Sequence, residues 1–247
     1  MSIDGPEDLA KLRAVADVAR LTLDALEHAV APGVTTIELD RIASAVFAAH
    51  GGRSAPAIVY GFPGTVLISL NDEIVHGVPG PRAIAGGDLV KLDVTVEKDG
   101  YIADAARTVV VDGATPAAAR LAACAKAAFD AAAAIARAGV KVNEIGRAVE
   151  RVVRGAGFTV VRDLSGHGVG RTIHEKPDVP NTYNRFQRDV LTDGLVITIE
   201  PMISTGTDRI KTAKDGWTIR TADGSPSAHY EHTLVITSDA PLILTAA

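Results

Sequence analysis

The chain alternates between stretches with helical and with strand-like spacing of apolar residues. Apolar side chains recur every three or four positions over residues 6–30, which predicts an amphipathic helix. A second helix is predicted to begin at TTIE, because Thr35 and Glu38 have the spacing of a capping box. Thr115 followed by Pro116 predicts the start of a long alanine-rich helix that reaches about Ala138. A further helix is predicted over residues 142–154.

Between residues 58 and 111 the pattern changes to short runs of β-branched residues. The segments TVLISL, DLVKLDVTVE and ARTVVV are set off by Gly, Pro and Asn-Asp turns, which is typical of strands. After residue 154 the chain is again predicted to form strands and loops. The order of two helices followed by strands therefore occurs twice.

An internal repeat accompanies that order. Aligning residues 32–46 with residues 138–152, at an offset of 106, matches Gly33 with Gly139 and Glu38 with Glu144. Further on, HGV at 76–78 recurs at 167–169. The sequence therefore predicts an α/β (α+β) fold with one domain over residues 1–247. Its two halves, at about 6–111 and 116–240, would be related by an approximate twofold axis.

Composition narrows the functional classes. Hydrophobic residues make up 47% and charged residues 22%, as in an ordinary globular protein. The net charge of −5 forms no basic patch, so nucleic acid is not an expected direct ligand. Neither a signal peptide nor a membrane span is apparent, and a cytoplasmic location is the expectation. Because Cys124 is the only cysteine, any metal must be held by oxygen and imidazole ligands.

Four acidic residues occupy matched places in the two halves. LVKLD ends at Asp93 and LVITIE ends at Glu200, while DAARTVVV begins at Asp104 and EHTLVI at Glu231. A twofold axis would bring Asp93 opposite Glu200 and Asp104 opposite Glu231, with His167 near one end. Two like charges about 4 Å apart repel by about 4 kcal/mol at an effective dielectric near 20. Such a cluster therefore needs protons or cations.

Oxygen-rich ligands with one imidazole suit two divalent ions such as Mn, Fe, Co or Zn. Two bridged ions activate a water and polarise a carbonyl, as hydrolysis of an unactivated amide requires, so a hydrolytic site is predicted. In SGHGVGRTIHEKP, glycines that allow close backbone approach surround His167 and precede His174. A dinucleotide-binding interpretation of GHGVGR fails, because the G-x-G-x-x-G pattern is incomplete and no helix is predicted to follow.

Six ordered segments resemble the motifs of type I methionine aminopeptidases: NDEIVHGVP, LVKLDVTV, ADAART, GHGVGRTIHEKP, TIEPM and YEHT. The resemblance covers essentially the whole chain. It implies the pita-bread fold, in which two pseudo-symmetric halves surround a dinuclear metal site. It also implies removal of the N-terminal methionine from nascent proteins with a small second residue, through a water that bridges the two ions.

The resemblance implies a role for each matching residue. The implied metal ligands, with Asp104 and Glu231 bridging, are Asp93, Asp104, His167, Glu200 and Glu231. Glu200 would also act as general base. His174 would contact the scissile amide or its oxyanion, and His76 would position substrate and transfer protons. The pocket for the methionine side chain would be lined by Phe62, Leu67 and Trp217. Asn71 and Ser227 match positions that hold a monovalent cation in some members.

Several positions depart from the family pattern. Val75 and Leu67 stand where cysteine is frequent, and Ile173 replaces an aromatic residue. Ala105 and Ala106 lack a usual hydroxyl. His229 replaces a common glutamine in the segment SAHYEHT. Because all five ligand positions are retained, these departures are expected to affect pocket shape and rate.

Two alternatives share the fold. One is an Xaa-Pro peptidase of the prolidase or aminopeptidase P type, although those relatives usually carry a large extra N-terminal domain. The other is a catalytically silent pita-bread binding protein, which would be expected to have lost ligands. For the favoured aminopeptidase, the expected partners are nascent-chain N-termini and the ribosome, with the enzyme acting as a monomer and without contact to nucleic acid or membrane.

Overall fold

A computed structural model describes residues 1–246 of the chain. The helices are α1 (Pro6–Ala29), α2 (Thr36–His50), α3 (Ala55–Tyr60), α4 (Pro116–Ala133) and α5 (Val142–Gly155). The strands of the first half are β1 (Arg53–Ser54), β2 (Leu67–Leu70), β3 (Glu73–Val75), β4 (Leu89–Lys98) and β5 (Tyr101–Val110). Those that follow are β6 (Thr159–Val160), β7 (Ser165–Gly168), β8 (Glu175–Pro180), β9 (Val196–Ile199), β10 (Met202–Ser204), β11 (Ile210–Thr212), β12 (Ile219–Thr221), β13 (Ser227–His229), β14 (Glu231–Val235) and β15 (Leu242–Ile243).

The helix starts follow the predicted capping signals. The Thr35 side chain accepts a hydrogen bond from the Glu38 amide, and the Glu38 carboxylate accepts one from the Thr35 amide at 2.8 Å. Helix α4 begins at Pro116, but it ends at Ala133 rather than near Ala138. The Ala138 amide instead donates to Thr237 O at 2.8 Å, so the chain leaves the helix to pair with a distant segment.

The strands form a nine-stranded central sheet in the order β1-β4-β5-β14-β9-β7-β8, with β2 also paired to β4 and β15 to β14. Every pairing in this sheet is antiparallel. Strands β5 and β14 join the two halves at the centre. The sheet therefore confirms the predicted mixed α/β class.

The repeated segment has the same local structure in both halves. Gly33 and Gly139 have φ angles of 93° and 89°, in the left-handed region that glycine adopts without a Cβ clash. Each donates its amide to a distant carbonyl, Gly33 to Ile84 at 2.8 Å and Gly139 to Leu191 at 2.9 Å. Equivalent turns thus join the two helices of each pair, α1 to α2 and α4 to α5. The boundaries of the halves at 6–111 and 116–240 stay a prediction.

Side chains of the central strands point alternately to the two faces of the sheet, and those on one face pack in the core. The apolar residues Leu92, Val94 and Val96 of β4 pack in the core cluster that α1 and α2 cover. Ile197 and Leu234 pack in the corresponding cluster beneath α4 and α5. Because neighbouring residues of a strand point to opposite faces, the residues between these apolar positions point away from the helices. In residues 1–246 no helix has the length and apolarity to cross a membrane.

Candidate metal centre

Four carboxylates converge on the sheet face opposite the helices. Asp93 lies on β4, Asp104 on β5 and Glu231 at the start of β14, while Glu200 directly follows β9. Ala106 is the cross-strand partner of both Asp93 and Glu231. The alanine noted in the sequence therefore lies between two of the acids in the sheet.

Within residues 1–246, no lysine or arginine side chain neutralises these carboxylates. They are between 2% and 9% exposed. In residues 1–246 their only ion-pair partners within 4.0 Å are the imidazoles of His167 and His229. Burial raises the pKa of Asp104 to about 7. Burial, followed by the neighbouring acids, raises the pKa values of Asp93, Glu200 and Glu231 well above their usual range. Without a cation, the folded protein therefore retains protons here.

His167 is oriented by its own backbone surroundings. Its Nδ1 lies 2.9 Å from Gly168 O, so Nδ1 carries the proton and Nε2 presents a lone pair. Nε2 lies 3.4 Å from Glu200 Oε1 and 3.9 Å from Asp104 Oδ2. A Cβ on Gly166 would lie 2.6 Å from Thr198 O, which shows why glycine precedes the histidine. Burial lowers the pKa of His167 to about 4, so the ring is neutral at pH 7.

Two threonines that were not predicted hold the carboxylates. Thr95 Oγ1 donates to Asp104 Oδ1 at 2.8 Å, and Thr198 Oγ1 donates to Glu200 Oε1 at 2.9 Å. The spacing of both threonines from the acids could have indicated this role in the sequence. Thr95 follows Asp93 by two positions and Thr198 precedes Glu200 by two, which places each threonine on the same strand face as an acid.

The donor set fits divalent metal ions. One ligand atom each from Asp104, His167 and Glu231 lie within 4.8 Å of one another, and the same holds for Asp93, His229 and Glu231. Glu231 is common to both groups. Buried carboxylates without cationic partners, together with neutral imidazole, are the ligands that divalent transition metals prefer. His229 was not among the ligands predicted from the sequence.

Two histidines border the cavity from other elements. His174, in the β7–β8 connection, has its Nδ1 2.5 Å from Tyr60 Oη and its ring centroid 4.3 Å from that of His167. His76 follows β3 with a φ of 59°, a left-handed conformation that is uncommon for a histidine and is found at functional sites. Burial, followed by the charge of His174, lowers the pKa of His76 to about 4. Both predicted histidines therefore line the same cavity as the carboxylates.

The three residues predicted for the side-chain pocket also line this cavity. The rings of Phe62 and Trp217 meet edge to face with centroids 5.3 Å apart, and Leu67 lies on β2 beside Asp93 of β4. Val75 and Ile173, two departures from the family pattern, belong to the apolar lining as well. The cavity therefore has one wall of carboxylates and one of apolar side chains.

The contacts of Asn71 bear on the predicted monovalent cation, which stays a prediction. Asn71 O accepts hydrogen bonds from Lys91 Nζ at 2.8 Å and from both the amide and the hydroxyl of Ser227 at 2.9 Å. The Ser227 hydroxyl also lies 3.1 Å from Glu73 O, and its single proton can serve only one of these two carbonyl oxygens. The buried amino group of Lys91 lies next to Asn71 O and would compete with a cation there.

Comparison with known proteins agrees with this geometry. Residues 10–238 match the model of metallopeptidase family M24. The chain therefore belongs to that family of metallopeptidases, and a divalent metal at this site agrees with the membership.

Within the family, the similar proteins are methionine aminopeptidases. The chain is 40% identical to Methionine aminopeptidase 2 of Bacillus subtilis (strain 168), over 99% of each protein. It is 39% identical to Methionine aminopeptidase of Escherichia coli (strain K12), over 99% of this chain and 94% of the relative. The crystal structure of the Thermotoga maritima methionine aminopeptidase superposes with a TM-score of 0.97 at 31% identity, covering 100% of both chains. The motif resemblance and the pita-bread fold predicted from it are thus confirmed.

Proposed function

We propose that this protein is a metal-dependent aminopeptidase that removes N-terminal methionine from peptides and nascent chains with a small second residue. The observation that carries the proposal is the buried cluster of four carboxylates and His167, with no lysine or arginine partner among residues 1–246, facing an apolar pocket. The names of the full-length relatives support methionine as the residue removed.

Five residues would hold the metal: Asp93, Asp104, His167, Glu200 and Glu231. We propose two divalent ions, drawn from Mn, Fe, Co and Zn, with Asp104 and Glu231 shared between them. When bound, such ions polarise the scissile carbonyl and activate a water for attack on it. The pseudo-symmetric supply of carboxylates from β4, β5, β14 and the residue after β9 supports this assignment.

Side chains of the protein would transfer and donate the protons that the reaction needs. Glu200, with Oε1 held by Thr198, would accept the proton of the attacking water and pass it to the departing amine as the C–N bond breaks. When Tyr60 Oη donates to His174 Nδ1, the neutral ring carries its proton on Nε2. That N–H would donate to the carbonyl oxygen as negative charge develops on it. His76, kept neutral by burial, would position the substrate.

The experiment compares three peptides beginning Met-Ala, Met-Lys and Ala-Pro, with metal-free and Mn-loaded protein. Release of methionine from Met-Ala alone, only with metal, is the expected result. Preferential cleavage of Ala-Pro would support an Xaa-Pro peptidase instead. No cleavage of any peptide, together with less than about one ion per chain at saturating Mn, would support a silent binding protein.

The two alternatives have less support. The prolidase of Pyrococcus furiosus superposes with a TM-score of 0.80, but at 22% identity that likeness concerns the fold alone. The chain spans 65% of that protein's length, compared with all of the Thermotoga maritima enzyme. A silent binding protein would not need to keep every ligand, whereas all five ligand positions are retained here. A cytoplasmic, monomeric enzyme acting near the ribosome remains part of the proposal.

We expect Phe62→Leu to weaken binding of the methionine side chain and to leave the rate of the chemical step nearly unchanged. The substitution removes the ring that meets Trp217 edge to face. KM for Met-Ala-Ser should rise about tenfold with little change in kcat, since an apolar pocket contact is worth about 1–3 kcal/mol. The matched control is Phe186→Leu at an exposed phenylalanine. A fall in kcat without a change in KM would show that Phe62 does not contact the methionine side chain.

We expect the stability of the protein to be indifferent to monovalent cations, because the amino group of Lys91 already lies 2.8 Å from Asn71 O. Exchanging KCl for choline chloride at constant ionic strength should shift Tm by less than about 1 °C, since an ion that does not bind the native state cannot stabilise it. A rise of several degrees that follows potassium concentration would instead support the cation site predicted near Asn71 and Ser227.

A further inference from the structure

His229 is a buried imidazole next to the carboxylate cluster. It ends β13 and is 1% exposed. In residues 1–246 neither Nδ1 nor Nε2 has a partner, and the same holds for the nearby Glu231 Oε1. Buried polar groups in folded proteins are nearly always satisfied, so the orphaned ring and the orphaned carboxylate oxygen each call for a partner.

The distances around His229 fit shared coordination rather than hydrogen bonding. Its Nε2 lies 3.6 Å from Glu231 Oε2 and 3.7 Å from Glu200 Oε2. Hydrogen bonds from nitrogen to oxygen end at about 3.2 Å. Two ligands about 2.1 Å from one tetrahedral ion lie about 3.4 Å apart. His167 has the same relation to its own carboxylates, at 3.4 and 3.9 Å.

The backbone holds the ring in this place. Thr108 Oγ1 accepts from the His229 amide at 2.9 Å and donates to His229 O at 2.7 Å. Strand β13 also pairs with β10, with His229 opposite Met202. The side chain is therefore directed towards the carboxylates by two neighbouring elements. A ligand atom of His229 also lies within 4.8 Å of ligand atoms of both Asp93 and Glu231.

We propose that His229 is a sixth metal-binding residue, which coordinates through Nε2 the ion held by Asp93 and Glu231. Each ion of the pair would then have one imidazole, from His167 on one side and His229 on the other. This inference rests on the proposed metallopeptidase function, and it adds to the five ligands assigned above. Because imidazole is a better ligand for zinc and cobalt than for manganese, His229 should shift the metal preference of its site towards zinc.

The test counts zinc-bound histidines directly. Protein labelled with 15N at histidine has seven imidazoles to observe. Long-range 1H–15N spectra recorded during a zinc titration should show two rings whose Nε2 resonance takes the shift of a zinc-coordinated nitrogen. A ring that only lies near the ion, such as that of His174, should keep uncoordinated nitrogens and does not count as responding. His229→Gln should leave one such ring, and His50→Gln, at an exposed position on α2, should leave two. Calorimetry should show zinc affinity lowered by about tenfold or more in His229→Gln.

The outcomes separate this inference from the function on which it rests. If zinc binds and only one ring responds in the wild type, His229 is not a ligand, although the metal centre stands. If no ring responds and calorimetry detects no binding, the proposed function fails as well. The number of responding rings in the wild type decides whether His229 is a ligand, even if His229→Gln does not fold. A His229→Gln variant that keeps two responding rings would also overturn the inference.

Discussion

Replacing Asp104 with asparagine is expected to reduce kcat/KM for Met-Ala peptides by about a thousandfold, since the carboxylate is proposed to bridge both ions. Asparagine has nearly the same shape and can still accept the hydrogen bond from Thr95 Oγ1. The loss should therefore arise from the missing charge and not from misfolding. The measurement combines steady-state kinetics with metal content per chain, which should also fall.

The matched control is Asp178→Asn, at an exposed aspartate whose side chain pairs with Lys176. It should keep the activity and metal content of the wild type. If Asp104→Asn were to keep full activity at saturating metal, the carboxylate could not be a bridging ligand. The assignment of the strand-borne acids to the metal centre would then be wrong.

Although Asp104→Asn should lower activity, it should raise the stability of the metal-free protein. The folded-state pKa of Asp104 is raised to about 7, chiefly by burial, so the folded state binds more protons than the unfolded state between about pH 4 and pH 7. The destabilisation of the folded state by ionised Asp104 therefore grows as pH rises through that window and is largest above pH 7. In EDTA, Asp104→Asn and the wild type should have similar Tm values near pH 4, and the variant should melt higher at pH 8.

The central site could be predicted because strands have a period of two. Asp93 and Asp104 interrupt apolar runs, and each therefore had to point away from a helix-covered face where its neighbours pack. The internal repeat then paired these acids with Glu200 and Glu231. The same period identifies Thr95 and Thr198, because each is a polar residue two positions from an acid.

His229 and Lys91 could not be placed in the same way, because their roles depend on contacts between strands far apart in the chain. His229 was considered only as a departure from a family pattern, and its approach to Glu200 depends on the pairing of β13 with β10. Lys91 lies on the same alternating face as Asp93, yet its amino group reaches Asn71 O in the preceding turn. Such tertiary contacts determine whether a buried polar residue is a ligand or a structural group.

Replacing His174 with alanine is expected to lower kcat for Met-Ala peptides about a hundredfold, as expected for loss of one donor to a developing oxyanion. KM should change little, because the hydrogen bond strengthens mainly in the transition state. Metal content should stay at the wild-type value, which distinguishes this variant from Asp104→Asn. His50→Ala, at an exposed histidine, is the matched control.

The pH dependence distinguishes a neutral from a charged His174. Burial lowers the pKa of His174 below its usual value, so the ring is neutral at pH 7 and still carries one N–H that Tyr60 directs to Nε2. Raising the pH from 7 to 9 removes no proton from a neutral imidazole, and this donor should therefore keep working over that range. If kcat instead fell tenfold per pH unit above about pH 6.5, and this limb disappeared in His174→Ala, the donor would be the imidazolium and the proposed role of Tyr60 would be wrong.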